Sequence, residues 1–236
     1  MKIRIKFAKH GAMKFVGHLD IMRYFQKAMR RAEVDIRYSE GFSPHQIMSF
    51  AAPLGVGLTS NGEYLDIEVG STESSAAMTA RLNEVMAEGM EVLSWRRLED
   101  SAKNAMSIVA AADYTLTFRE DYRPENVEAF LEELKTFCNG DTILIVKKTK
   151  KSEKEIDIRP MIHSVHTEGE TIFMSVATGS ASNLKPELVM EAFYRSKGLE
   201  YPEFALQVQR EEVYADLGTE EAHRFVPLED LGEDIE

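Results

Sequence analysis

The chain has a single cysteine, Cys138, among 236 residues. One thiol excludes an intrachain disulfide, an iron–sulfur cluster and a cysteine-type zinc site, and it points to the cytoplasm. Long apolar runs are also missing, so no membrane-spanning helix is expected. The N-terminal MKIRIKFAKH interleaves charge with apolar residues, which is a strand pattern and lacks the unbroken apolar stretch of a signal peptide. HExxH and comparable ligand spacings are absent among the six His, so no metal and no cofactor is expected. Positive charge is scarce overall, with a formal net charge of −12. Such a balance argues against a protein that coats nucleic acid indiscriminately.

The scarcity is not uniform. Residues 1–50 hold ten Lys/Arg against four Asp/Glu, a net of +6, while the other 186 residues hold eighteen against thirty-six, a net of −18. A local basic region on an acidic body can form a selective anion or RNA site. Apolar residues make up 44% of the chain, enough for one large or two small cores.

Periodicity gives the layout. Ile3, Ile5 and Phe7 point one way and Lys2, Arg4 and Lys6 the other, as in a half-buried strand. Residues 18–33 read as a helix with Leu19, Met22, Phe25, Met29 and Ala32 on one stripe. Residues 34–46 read as a loop, 47–52 and 62–69 as strands, 74–88 as a second helix and 90–98 as a strand. The order then repeats: strand 112–119, helix 125–138, strands 141–149, 154–166 and 170–178, helix 185–196, strand 204–211. The expected fold is α+β, with two tandem ferredoxin-like β-α-β-β-α-β halves, the second one strand richer. The halves are expected at 1–99 and 112–212, followed by an acidic tail at 213–236. Residues 217–236 carry seven Asp/Glu and one Arg, and read either as a solvated segment or as an arm shielding the basic region. The Lys-rich stretch 147–155 reads as a hydrated hairpin tip or a phosphate contact.

Chemistry concentrates in residues 10–57. His18 and Asp20 sit at the mouth of the first helix. Asp20 either complements the helix dipole or works with His18 or His45, in proton transfer or in sharing a metal. Arg23, Lys27, Arg30 and Arg31 follow at helical spacing opposite much of the apolar stripe. They form either a solvated face or a phosphate-binding stripe. The loop Tyr38-Ser39-Glu40-Gly41-Phe42-Ser43-Pro44-His45 puts two aromatics beside that helix, the side chains on which single-stranded RNA bases stack. Ser49 completes the binding candidates. Gly55-Val56-Gly57 lacks the Lys-Ser/Thr of a phosphate loop, and Cys138 falls on an apolar helix face.

These stretches resemble the radical-SAM-linked domain of unknown function, a bacterial family that occurs alone or C-terminal to cobalamin-binding radical SAM proteins. The matching residues are Phe15, Gly17, His18, Leu19 and Asp20, then the Tyr38 to His45 loop. After these come Ser49, Phe50, Pro53, Leu54 and Gly57, and finally Gly62-Glu63-Tyr64-Leu65-Asp66. Gly17 stands where many members have Ser, and glycine caps a helix nearly as well. The resemblance implies a companion of a radical SAM protein. The paired halves are similar in architecture to CRISPR-processing endoribonucleases and one class of tRNA pseudouridine synthases. The leading expectation is an RNA-binding or substrate-presenting accessory of a radical SAM enzyme, with Arg23, Lys27, Arg30 and Arg31 on phosphates and Tyr38, Ser39, Phe42, His45 and Ser49 at the recognition site. The alternatives are an RNA-processing or RNA-modifying enzyme using His18, Asp20 and His45, and a protein–protein scaffold.

Overall fold

In chain order the elements are β1 (Lys2–Lys9), α1 (His18–Arg31), β2 (Met48–Phe50), β3 (Thr59–Glu68), α2 (Ser75–Val85), β4 (Met90–Leu98) and a one-turn α3 (Ala105–Ile108). There follow β5 (Val109–Phe118), α4 (Val127–Cys138), β6 (Leu144–Lys148), β7 (Glu153–Asp157), β8 (Ile162–Glu168), β9 (Thr171–Ala177), α5 (Pro186–Ser196), β10 (Leu206–Asp216) and β11 (Phe225–Pro227). This computed structural model describes residues 1–148, 153–180, 182–219 and 221–236. Part of the Lys-rich stretch, 149–152, therefore lies outside the described residues. The fold is a mixed α+β one with mostly antiparallel strands and five α-helices among the described residues. Two compact units divide the chain: residues 1–110 with 210–236, and residues 111–209.

In the first unit β1 pairs antiparallel with β4 on one side and β3 on the other, and β2 pairs antiparallel with β3. The inward face of β1 carries Ile3, Ile5 and Phe7, all buried with Leu65 and Ile67 of β3 and with Trp95 of β4. Against them α1 turns Ile21, Phe25, Ala28 and Met29, a four- and three-residue spacing that makes one apolar stripe. Met78 and Leu82 of α2 close the same core. Leu19, expected on that stripe, is 61% exposed, because the buried stripe begins at Ile21. The helix ends at Ala32, after which Glu33 takes a left-handed φ of 51° and turns the chain out.

The other face of β1 is not left to water. Arg4 is 1% exposed and its guanidinium forks onto both oxygens of Asp66 at 2.8 Å. Lys6 reaches Glu212 and Glu229, each at 2.6 Å, and Tyr64 donates to Glu212 at 2.6 Å. The acidic C-terminal segment is the cover. β11 pairs with β10, Leu228 is fully buried, and the Leu228 carbonyl accepts from Arg4. Glu233 exchanges backbone hydrogen bonds with Arg97, and Ile235 does so with the backbone and hydroxyl of Ser75. Residues 225–236 are thus packed on this unit and are not a solvated tail, the first of the two readings the sequence allowed. The turn into β11 is held by Asp216, whose carboxylate takes the N–H groups of Gly218 and Arg224 and the ring of His223. Those bonds, led by His223, hold the Asp216 carboxyl down at about 2.

One motif residue is fixed by space alone. A Cβ on Gly62 would lie 2.6 Å from the Glu211 carbonyl oxygen and 2.7 Å from the Glu212 Cα. Both obstacles are backbone, so β10 approaches β3 only where the side chain is hydrogen. Gly62→Ala is expected to cost more than the roughly 1–3 kcal/mol of ordinary overpacking, read as a fall in melting temperature. A variant as stable as the parent would refute the close approach.

In the second unit β5, β9 and β8 pair antiparallel in that order, and β6 and β7 pair antiparallel in a separate two-stranded sheet. Phe130 of α4 meets Phe193 of α5 edge-on at 5.1 Å. Cys138 is buried at the end of α4, and burial pushes its thiol up to about 12.

Candidate functional site

The first functional face is the outer side of α1. Gly17 caps the helix without a side-chain bond, and Asp20 in the first turn pairs with Arg23 at 3.1 Å. Both partners are about two-thirds exposed, so the pair contributes little stability. The remaining cations are not neutralised by it. Arg30 donates to the Gln26 carbonyl at 3.2 Å and Arg31 to the Val85 carbonyl at 2.9 Å, bonds that orient a guanidinium and leave its charge. Arg31 also lies 6.0 Å over the Tyr24 ring. Lys27 is exposed.

The loop after the helix is a narrow two-stranded ribbon. Tyr38 and Gln46 form an isolated antiparallel bridge, and the Ser39 N–H donates to the His45 carbonyl at 2.8 Å. Neighbouring residues on such a ribbon point to opposite sides. One side is Tyr38 and Gln46, and the Gln46 amide donates to the Gln26 carbonyl of α1 at 3.3 Å. The other side is Ser39 and His45, whose Oγ and Nδ1 lie 2.9 Å apart. The Ser39 Oγ also accepts from the His45 N–H at 3.1 Å. Tyr38 is half-exposed and Phe42 stands entirely in solvent at the tip.

Ser39 and His45 line a cleft of about 440 Å³ with Ser49, Glu68, Leu98 and Asn104. Its floor is tied together. Ser49 donates to Asn104 Oδ1 at 3.1 Å, the same oxygen takes the Met106 N–H at 3.0 Å, and Asp66 accepts the Ala105 N–H at 2.7 Å.

His18 is elsewhere. Its ring packs edge-on against Phe50 at 5.3 Å, and it lines a separate cavity of about 20 Å³ with Lys9, Phe7 and Glu63. The two cavities share no lining residue. Thus Ser39, His45 and Ser49 come together, Tyr38 and Phe42 share their loop, and Arg23, Lys27, Arg30 and Arg31 share their helix. His18 and Asp20 do not join His45. Ser49 and Phe50 are adjacent on a strand and face opposite ways, which sends His45 and His18 to different sides of β2.

Sequence reasoning missed Lys9, Glu63 and Arg210. Lys9 is 3% exposed, its ammonium bonded to the Val16 carbonyl at 2.9 Å, and burial holds it below the usual lysine range. Arg210 forks onto Glu63 at 2.8 and 2.5 Å. A signal for Lys9 existed, since the alternation that turns Ile3, Ile5 and Phe7 inward runs on to residue 9. Glu68 and Asn104 carried no local signal.

An α+β unit with a basic helix face and a polar cleft behind its loop is the class that fold and geometry define. The model of a family of uncharacterized proteins conserved in bacteria (DUF2344) matches residues 2–186, and the chain belongs to that family. The matched span includes α1, the loop and the cleft. No curated protein matches the chain. No helix among the described residues is long and apolar enough to cross a membrane.

Proposed function

We propose that this protein is an RNA-binding or substrate-presenting accessory of a radical SAM protein. The observation that carries the RNA reading is the Gln46–Gln26 bond. It fastens the loop to α1 at Gln26, within the two turns that bear Arg23, Lys27 and Arg30. The half-exposed ring of Tyr38 is on the side of the loop tied to that helix, and the loop carries the exposed Phe42 ring at its tip. Stacking surface next to fixed positive charge is what single-stranded RNA needs, because every base has a π face and every linkage a phosphate. Two other cations of the N-terminal region, Arg4 and Lys6, are held in ion pairs and do not compete.

The radical SAM half of the proposal is supported by the resemblance of residues 15–20, 38–45, 49–57 and 62–66. The chain has one thiol, so the cluster would belong to the partner. The fold we favour is a pair of ferredoxin-like halves. Strand order β4-β1-β3-β2, with α1 and α2 packed into one core, supports that reading for the first half. The lone cysteine favours a cytoplasmic setting.

Filter binding over a salt series tests the RNA reading. Replacing Arg23, Lys27 and Arg30 together with Ala should weaken binding across sequences and flatten the salt slope by about 0.7 for each phosphate no longer neutralised. Melting should barely move, because exposed substitutions are usually worth under ~0.5 kcal/mol each. A parent that binds no RNA at low salt, or a triple variant that binds like the parent, would replace this reading with the scaffold. RNA turnover by the isolated chain would replace it with the enzyme.

A further inference from the structure

We infer that the cleft behind the loop is a recognition pocket for a guanine base, a step that rests on the RNA reading above. The first observation is an unanswered carboxylate. Glu68 on β3 stands opposite Lys2 on β1 in the antiparallel register. An opposed Lys–Glu pair ordinarily closes into an ion pair. Here the Lys2 ammonium turns away, to the carbonyls of Asp100 at 2.7 Å and Ala102 at 2.9 Å. No partner holds the Glu68 carboxylate among the described residues, and it lines the cleft. Asp66, two residues earlier on the same face, is already occupied by Arg4 and the Ala105 N–H.

The second observation is a set of donors around that acceptor. The Ser39 hydroxyl lies 2.9 Å from His45 Nδ1. Where that hydroxyl donates, the neutral ring carries its proton on Nε2 and its free edge donates; where Nδ1–H donates instead, to Ser39 or to the Ser43 carbonyl at 3.4 Å, that edge accepts. Asn104 spends its Oδ1 on Ser49 and Met106, which leaves its amide Nδ2 to donate. Leu98 and Ala102 supply apolar surface, and the exposed Lys103 lies on the lining for a phosphate. At about 440 Å³ the cleft falls in the size range of small-molecule sites.

Guanine is the base that matches this set. Its Watson–Crick edge offers two adjacent N–H donors, which suit the two oxygens of one carboxylate, and its O6 and N7 accept. Uracil offers one ring N–H. Adenine and cytosine present an amino group beside a ring acceptor, and that acceptor would face the second carboxylate oxygen. The route is also short. Tyr38 and Gln46 face α1 while Ser39 and His45 face the cleft, so a strand crossing the Phe42 tip can lay phosphates on α1 and drop one base into the pocket.

The test is titration calorimetry of the full chain with guanosine, adenosine, cytidine and uridine 5′-monophosphates, beside single-stranded RNA oligomers with and without guanine. The guanine nucleotide should bind at least about tenfold tighter than the other three. Glu68→Gln should abolish that preference, since an amide N–H replaces an acceptor, and it should leave the melting temperature unchanged. The Arg23/Lys27/Arg30 triple variant should weaken RNA and leave the mononucleotide alone. Mononucleotide selectivity without RNA binding would uphold the pocket as a free-nucleotide site and fail the RNA reading. RNA binding with no preference for guanine, or a Glu68→Gln variant that keeps it, would overturn the pocket and spare the RNA reading.

Discussion

Glu63→Ala is expected to cost about 3–5 kcal/mol and to lower the melting temperature of the first unit by on the order of 10 °C. The carboxylate is the counter-ion of a charge cluster that water does not reach. Arg210 is 2% exposed and Glu63 5% exposed, and the guanidinium is forked onto both carboxylate oxygens. Arg210 also donates to the Ala52 carbonyl at 2.8 Å. Lys9, 3% exposed, draws on the same negative charge, which offsets part of its desolvation. Removing Glu63 therefore takes the forked carboxylate from Arg210 and the nearby negative charge from Lys9, both of them buried. Desolvated charge without a partner is far more costly than the pair itself is stabilising. Replacing all three charges, with Lys9→Met, Glu63→Leu and Arg210→Met, should recover most of the loss, because well-packed apolar side chains tolerate such a site. Calorimetric melts of both variants measure this. A single variant that loses under ~1 kcal/mol would mean that water reaches the cluster.

That cluster also marks where sequence reading stops. The alternation of Ile3, Ile5 and Phe7 and the spacing of Phe25 and Met29 are local signals of period two and three to four, and they place β1 and α1 against one core. The same alternation calls for solvent on the side of Arg4 and Lys6, and there it fails. Their partners lie 62, 206 and 223 residues away, at Asp66, Glu212 and Glu229. No local pattern encodes a carboxylate that returns from the far end of the chain. The +6 of residues 1–50 consequently overstates the free charge, and what remains for a polyanion is chiefly α1. Leu19 shows the smaller error, a helix stripe extended one turn beyond the buried face. At the candidate site, Ser39 and His45 were legible as loop residues. Their separation from His18 depends on which face of β2 each meets, and a three-residue strand gives too short a pattern to read. Glu68 and Asn104 matter only through the cleft they share, which forms once β3 and the segment before α3 are brought together.

Deleting residues 225–236 is expected to destabilise the first unit by several kcal/mol, with the loss set by apolar burial and the inner ion pair more than by the outer ones. Leu228 is fully buried, and such a side chain contributes about 1.5–3 kcal/mol by leaving water. Leu228→Ala alone should cost about 2–5 kcal/mol. Lys6 would keep Glu212 and lose Glu229, while Arg4 would lose the Leu228 carbonyl. At the rim, Glu233 and Asp234 pair with Arg97 and Arg96 but are themselves mostly exposed, so Ala at either position should cost under ~1 kcal/mol. The pH dependence separates the inner ion pair from the rest. Against the desolvation that would raise it, the bonds and charge of Lys6 hold the Glu229 carboxyl below its usual range. A lowered carboxyl contributes stability that is present above the unfolded value, near about 4.3, and is lost as pH falls through the folded one. Lys6 is raised by Glu212 and Glu229 despite its own burial, so its contribution holds below the ordinary lysine range and is lost as pH rises through the higher folded value. The gap between full-length and truncated chains should therefore be widest at neutral pH and narrow below about pH 4. Denaturant melts of the two chains from about pH 3 to 8 measure it. A truncated chain as stable as the parent at neutral pH would show that residues 225–236 lie on the unit without holding it, and a gap that does not narrow on acidification would show that apolar burial holds them and the Lys6–Glu229 pair does not.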